Sequence, residues 1–296
     1  MQPTVIQCKC AFEYFQKVES MGRRNWIYRG HSRYSDDLLD DNDWKLESSL
    51  HRFLKQHKGK ILKATSWYPR EKALLNRFAG SAHIHLSHLP EKTDRLGWLA
   101  LMQHYGSPTR LIDFTFSPAA ALYFAIREVQ KGSGPFSIHA LHLDTVRGRA
   151  KVAREKSEKY KDRTPPLNPS SDEYGIGRSA STVDFIGFFD GSMLNPRQEA
   201  QDGLFLVPSK IDLNVENWLS ENLEPVKTIK PFDTPWVEFV FNNEKDDYYK
   251  IVNQLIQVGV TPKKLFPGLE GISEATKFAW LEVAKNLEPY ELNQVL

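Results

Sequence analysis

Residues 109–129, "TRLIDFTFSPAAALYFAIREV", leave the chain the least freedom. "TRLIDF" (109–114) has the composition of a short buried strand. Ser117 suits a helix cap, its hydroxyl accepting from the first free N–H groups, and Pro118 suits the first helical position. The helix that follows, "AAALYFAIREV", is apolar on most of its surface. Such a helix lies inside a fold, so other elements must cover both it and the strand before it. A chain of 296 residues with 41% hydrophobic and 26% charged residues can bury a core of that size.

The remaining pattern is mixed. Helices are predicted over 11–22, 45–57, 70–82 and 94–105, the last closed by Gly106. After the break at "KGSGP", "FSIHALHL" (136–143) alternates like a strand. Further strands are predicted at "TVDFIGFF" (182–189), "DGLFLVPS" (202–209) and "WVEFVF" (236–241), then a helix at 244–257 and a tail broken by Pro and Gly. Strands scattered among helices, without regular βαβ alternation, predict an α+β class. One domain spanning 1–296 is expected, with 147–181 a basic, flexible insertion and 244–296 a C-terminal helical support. "RYSDDLLDDNDW" (33–44) reads as a solvated acidic loop.

Several classes are excluded or disfavoured. No apolar run approaches the roughly 20 residues that span a bilayer, and the N-terminus has no basic region followed by an apolar one. Cys8 and Cys10, the two cysteines, are spaced poorly for an intrachain disulfide or a zinc knuckle, which predicts reduced thiols in a cytoplasmic protein. G-x-G-x-x-G, Walker A and G-x-S-x-G sequences are all missing. His83, His85 and His88 fit neither one helix face nor one strand face, so surface or capping roles are expected and no metal. A net charge of +2 makes any basic footprint local. Residues 147–163 hold eight Lys/Arg against three Asp/Glu, and read equally as a nucleic-acid footprint or as a solvated amphipathic helix.

Three stretches set polar side chains at the end of a buried element. "WIYRGHS" (26–32) brings an apolar run up to Arg29, which needs an anion or a carboxylate to meet; Asp113 is one candidate partner. Thr115 and Ser117 lie between strand and helix, and Arg197, Glu199 and Gln201 precede a strand. Each has an ordinary reading as ion pair, cap or turn, but three together describe polar groups converging on an apolar cleft.

The ordered set "YRGHS…WKLESSLHR", "MQHYGSPTRLIDFTFSPAAALYFA", "NPRQEAQDGLFLV" and "GVTPKKLFPGLEG" resembles the FRG domain family over residues 24 to 272. That family is regarded as part of the ADP-ribosyltransferase superfamily. The resemblance implies a split β-sheet clamp around an NAD cleft, with surrounding helices and no Gly-rich loop. It implies a catalytic set of Arg29, Ser117, Glu199 and Gln201, with NAD contacted by Arg29, Gly30, His31, Thr115 and Tyr123. Arg29 would meet the diphosphate, for which its fork is suited. Thr115 or Ser117 would order the site, and Tyr123 would wall the nicotinamide. Gln201 stands where the superfamily commonly has glutamate, so either Glu199 supplies the charge or turnover is slow or absent.

The implied activity is transfer of ADP-ribose from NAD, without metal, to a nucleic acid or protein. A stand-alone chain of this kind resembles a bacterial toxin or phage-defence effector, including one that modifies RNA, with a cognate antitoxin or inhibitor as partner and no membrane. NAD hydrolysis and non-catalytic binding of NAD or ADP-ribose are the alternatives.

Overall fold

The computed structural model describes residues 1–22, 25–34, 45–57, 67–127, 129, 134–176, 183–191, 196–243 and 247–276. The chain is a mixed α+β protein built on one sheet of seven strands, in the order β1-β7-β4-β2-β3-β6-β5. The strands are β1 (Thr4–Cys8), β2 (Trp26–His31), β3 (Ile112–Thr115), β4 (Phe136–His142), β5 (Ile186–Phe189), β6 (Gly203–Pro208) and β7 (Trp236–Phe241). β1 runs parallel to β7, and every other pair is antiparallel. The sequence signals β1 only by a weak alternation, because Thr4–Cys8 form an edge strand with only Cys8 fully buried.

The middle of the sheet is narrow. β2 pairs with β4 along its whole length, from Trp26–His142 to His31–Ser137. With β3 it pairs at Tyr28–Thr115 alone. Beyond that bridge the two strands fork, with Arg29, Gly30 and His31 on one arm and Asp113 and Ile112 on the other.

Two cores flank this sheet. Helices α1 (Ala11–Ser20), α5 (Pro118–Arg127) and α9 (Asp247–Gln257) cover Trp26, Tyr28, Ile138 and Phe239. The second core takes Ile27, Leu141 and Trp236 from the alternate side and continues over β3, β6 and β5 beneath α4 (Arg95–His104), α6 (Leu143–Glu155) and α8 (Val215–Asn222). β4 is buried at six of its seven positions, so its alternation separates two cores rather than core from water.

The apolar helix predicted after residue 117 is α5. Ser117 caps it, its Oγ accepting from the Ala120 N–H at 3.2 Å. It lies so close to β2 that a Cβ on Gly30 would stand 2.1 Å from the Ala121 carbonyl oxygen and 2.5 Å from the Ala125 nitrogen. The glycine of "YRGHS" and the alanines of "SPAAALYFA" are therefore two halves of one contact. Gly30, expected to contact NAD, instead faces α5, away from the side that carries Arg29.

The start of the predicted strand at 109–114 serves as an anchor instead. The fully buried Arg110 guanidinium donates through Nε to Glu71 of α3 (Trp67–Ala82) at 2.6 Å, and to the carbonyls of Tyr174 at 2.8 Å and Ser209 at 3.2 Å. Of the basic segment 147–181, residues up to Glu155 continue α6, and Arg154 is buried against Glu173 at 3.1 Å. Tyr174 and Ile176 reach the second core, so this part is folded in; residues 177–181 lie outside the described residues. The acidic loop falls largely outside them too, at 35–44, as do 244–246 and 277–296 of the C-terminal support. Among the described residues no helix is long and apolar enough to cross a membrane.

Gly30→Ala is expected to lower stability by about 2–3 kcal/mol in urea unfolding, the order of cost for overpacking against a backbone that cannot yield. Gly80→Ala, within α3 with nothing inside 4 Å of the new methyl, is expected to gain about 0.5–1 kcal/mol in the same assay.

Candidate functional site

The fork between β2 and β3 is where the polar residues gather. Arg29 projects from the face opposite Gly30, its side chain 17% exposed. Its Nη1 donates to the Asp113 carbonyl at 2.6 Å and lies 4.0 Å from the Asp113 carboxylate, and its Nε donates to His31 Nε2 at 3.1 Å. Arg29 therefore meets Asp113, but mainly through the backbone. Its Nη2 makes no hydrogen bond among the described residues. Burial pushes the guanidinium down to about 10; Asp113 works against that, and the like charge of Arg52 adds to it. The group stays cationic at neutral pH.

Arg52 belongs to α2 (Ser49–Gln56), whose start is tied beside β3 by the Leu50 N–H donating to the Thr109 carbonyl at 2.9 Å. Arg52 donates to the Glu47 carbonyl at 2.6 Å, and its like charge is felt at Arg29, so positive charge gathers on this side of the fork.

A polar row crosses the sheet behind Arg29. Register places Arg29 opposite His139 on β4, and His139 opposite Glu238 on β7. Trp236 Nε1 donates to His139 Nδ1 and Glu238 lies beside His139 Nε2, each at 3.4 Å. The indole N–H occupies Nδ1, so Nε2 carries the proton toward Glu238. The His31 ring packs edge-on against His139, centroids 4.9 Å apart.

On the other arm, Asp113 connects the fork to a second space. Its carboxylate accepts from the Gln103 amide at 2.8 Å, and Gln103 Oε1 accepts in turn from the Thr109 hydroxyl. Gln103, His104, Asp113, Arg197, Gln201 and Phe205 line a polar cleft of about 120 Å³. Burial, reinforced by the Arg197 charge and opposed by Glu270, lowers the His104 imidazole from its ordinary value.

The other residues named from sequence are placed variously. Thr115 Oγ1 donates to the Gln201 carbonyl at 2.6 Å and accepts from the Ser117 N–H at 2.9 Å, stitching β3 to the turn before β6. Ser117 is committed to its cap. Tyr123, expected to wall the nicotinamide, is 1% exposed in the core under α5, beside Phe266, and does not reach the Arg29 face; a helix apolar all round shows no preferred side in its sequence. Glu199 is exposed on α7 (Pro196–Ala200), a turn of helix that carries it outward while Gln198 points in. Gln201 lines the cleft, but its amide donates to the Leu265 carbonyl at 2.9 Å.

Arg197 stacks over Phe266 at 4.7 Å and pairs with Glu270 at 3.2 Å. Thus "NPRQEAQ" and "GVTPKKLFPGLEG" meet. Arg52, Gln103, His104, His139 and Glu238 escape the sequence reading, although "MQHYGSPTR" holds two of them. In the basic segment, Arg149 pairs with Glu224 at 3.2 Å, and Arg147 lies over Phe188 at 5.8 Å. These contacts leave fewer cations for a nucleic acid than the sequence suggests. His83, His85 and His88 are exposed, and among the described residues no three His, Cys, Asp or Glu gather to hold a metal.

Residues 24–133 match the FRG domain, a narrower span than the motifs suggest. It contains β2, β3 and α5, and with them Arg29, His104 and Asp113. No curated protein and no solved structure matches the chain.

Burial holds both His104 and His142 below the ordinary 6.5. The folded chain therefore binds these protons less readily than the unfolded one. The stability this contributes is complete above pH 6.5 and is lost as pH falls from there through the lower folded values. The urea midpoint is expected to drop between about pH 7 and 5.5, and His142→Gln to lessen that drop.

Proposed function

We propose that the protein is an NAD-dependent ADP-ribosyltransferase that moves ADP-ribose onto a macromolecule. The observation that carries the reading is the Arg29 guanidinium at the β2/β3 fork, with Nη2 uncommitted and Arg52 within electrostatic reach. A fork of this kind fits a diphosphate, which takes parallel N–H donors and two positive charges. The single Tyr28–Thr115 bridge gives the sheet two arms, the form a split clamp around NAD requires. The FRG match at 24–133 supports the same reading, since it spans both arms.

Breaking the bond between nicotinamide and ribose develops positive charge on the sugar, which the site must stabilise while the diphosphate is held still. Arg29 supplies the hold. His31, accepting from Arg29 Nε, fixes the plane of the guanidinium. A toxin or defence role, with a cognate inhibitor, is the biological setting the reading implies.

Non-catalytic binding of NAD or ADP-ribose is the second reading. It is favoured by the third motif, where Glu199 is exposed and Gln201 is tied to Leu265. NAD labelled in its adenylate half, offered with RNA, single-stranded DNA or lysate protein separately, distinguishes the two. Label is expected to enter one pool, with Arg29→Ala reducing transfer about 100-fold or more. Arg29→Lys is expected not to restore it, because a point charge does not reproduce the fork. Free ADP-ribose formed without any macromolecule would mark hydrolysis, and binding without either product would mark the module.

A further inference from the structure

The polar cleft beside Asp113 holds one imidazole. Arg197 is paired with Glu270, the Gln201 amide with Leu265, and Gln103 with Asp113 and Thr109. His104, at the last position of α4, is different: its Nδ1 is closed off from water and has no hydrogen-bond partner among the described residues. An acceptor that enters the cleft cannot reach that nitrogen, so any proton the ring takes from it must go to Nε2.

The cleft's position matters as much. Asp113 gives its carbonyl to Arg29 and its carboxylate to Gln103, so one residue separates the anion site from the space His104 lines. A volume of about 120 Å³ accommodates the reactive end of an acceptor but not a whole nucleotide. The charged groups about the imidazole are Arg197 from α7, Glu270 from the C-terminal segment and Asp113 from β3, with the Tyr105 ring packed edge-on at 4.8 Å. Arg197 cannot accept a proton, the three glutamine amides do not, and the Asp113 carboxylate, already accepting from Gln103, is by type a weaker base than an imidazole. The imidazole, neutral at pH 7, can.

We propose that His104 is the general base of the transfer, drawing the proton from a hydroxyl or amino acceptor that enters this cleft. The proposal rests on the transferase reading above. The acceptor oxygen or nitrogen forms a bond to ribose C1′ as the bond from C1′ to the nicotinamide nitrogen breaks. That electron pair stays on the ring nitrogen and cancels its charge. The acceptor's proton passes to His104, which becomes imidazolium and releases it to water. Carboxylate acceptors, which bring no proton, have no use for such a base, so the class of acceptor is narrowed to proton-bearing nucleophiles.

The test uses the full chain, NAD and whichever pool accepts label. His104→Gln is expected to bind NAD within about threefold of the parent by calorimetry, and to lose about 100-fold or more in transfer kcat. The acid limb of the pH–rate profile should vanish in the variant, added imidazole should restore part of the rate, and the label should resist hydroxylamine, which strips carboxylate esters. In the parent, NMR titration should find the His104 imidazole below the ordinary 6.5.

Transfer by His104→Gln within about fivefold of the parent, an unchanged acid limb, or a His104 that titrates at or above that value would overturn the proposal. His104→Asn carries the same test if the glutamine variant does not fold. A parent that transfers while both variants do too refutes only the base; a parent that neither binds nor cleaves NAD refutes the transferase reading and this proposal with it.

Discussion

The close approach of α5 to β2 at Gly30 is the contact on which the rest of the site depends. A strand with side chains alternating about its plane cannot choose the face of one residue independently of the next. Because Gly30 must face the backbone of Ala121 and Ala125, Arg29 and His31 must face the other way. The buried helix therefore decides where the guanidinium points, although it never touches it. Ala121 and Ala125 matter for what they lack, since larger side chains would hold the helix away from the strand. The apolar run that ends in Arg29 is thereby explained: Trp26 and Tyr28 belong to the core under the helix, and Ile27 to the core on the far side.

Two arginines show how differently a buried charge can be compensated. Arg110 is fully enclosed and answered on all sides by the Glu71 carboxylate and by carbonyls of distant segments. Removing one partner of such a pair would leave a bare buried charge, at a cost of about 3–5 kcal/mol, so it holds α3, β3 and the loop at Tyr174 in one place. Arg29 is desolvated almost as thoroughly, yet its partners are a carbonyl, an imidazole and a carboxylate at the limit of contact. That shortfall in compensation is what the transferase proposal draws on.

How much of this the sequence carried depends on the range of the interaction involved. Local signals served well: the Ser117 cap, Pro118 at the start of α5, the close of α4 near Gly106 and the strands at β4, β6 and β7 all follow from neighbours within a turn. β1 and α8 were missed although each had a cue, weak alternation in the first and the Asn214 cap in the second. The site was read less completely. Arg29, His31 and Asp113 could be named, because an arginine after an apolar strand is locally odd. His139 and Glu238 could not be joined to them, because only register across three strands brings them into line. Glu199 shows the reverse error: two residues from Gln201 in sequence, it is turned to solvent by the intervening helix. Tyr123 sits on a helix with no polar stripe, so nothing in its periodicity could say which way it faced.

The Tyr28–Thr115 bridge has a consequence for what counts as the unit of this architecture. β2 and β3 both lie within the span that matches the FRG domain, yet each has its fuller partner outside it, β4 for one and β6 for the other. Cut free at residues 24 and 133, the two arms would share one residue pair and present two unanswered strand edges. Recognisable motif and self-sufficient body are thus different objects here: the first is a hinge of two arms, and the second includes the flanking strands that keep those arms apart.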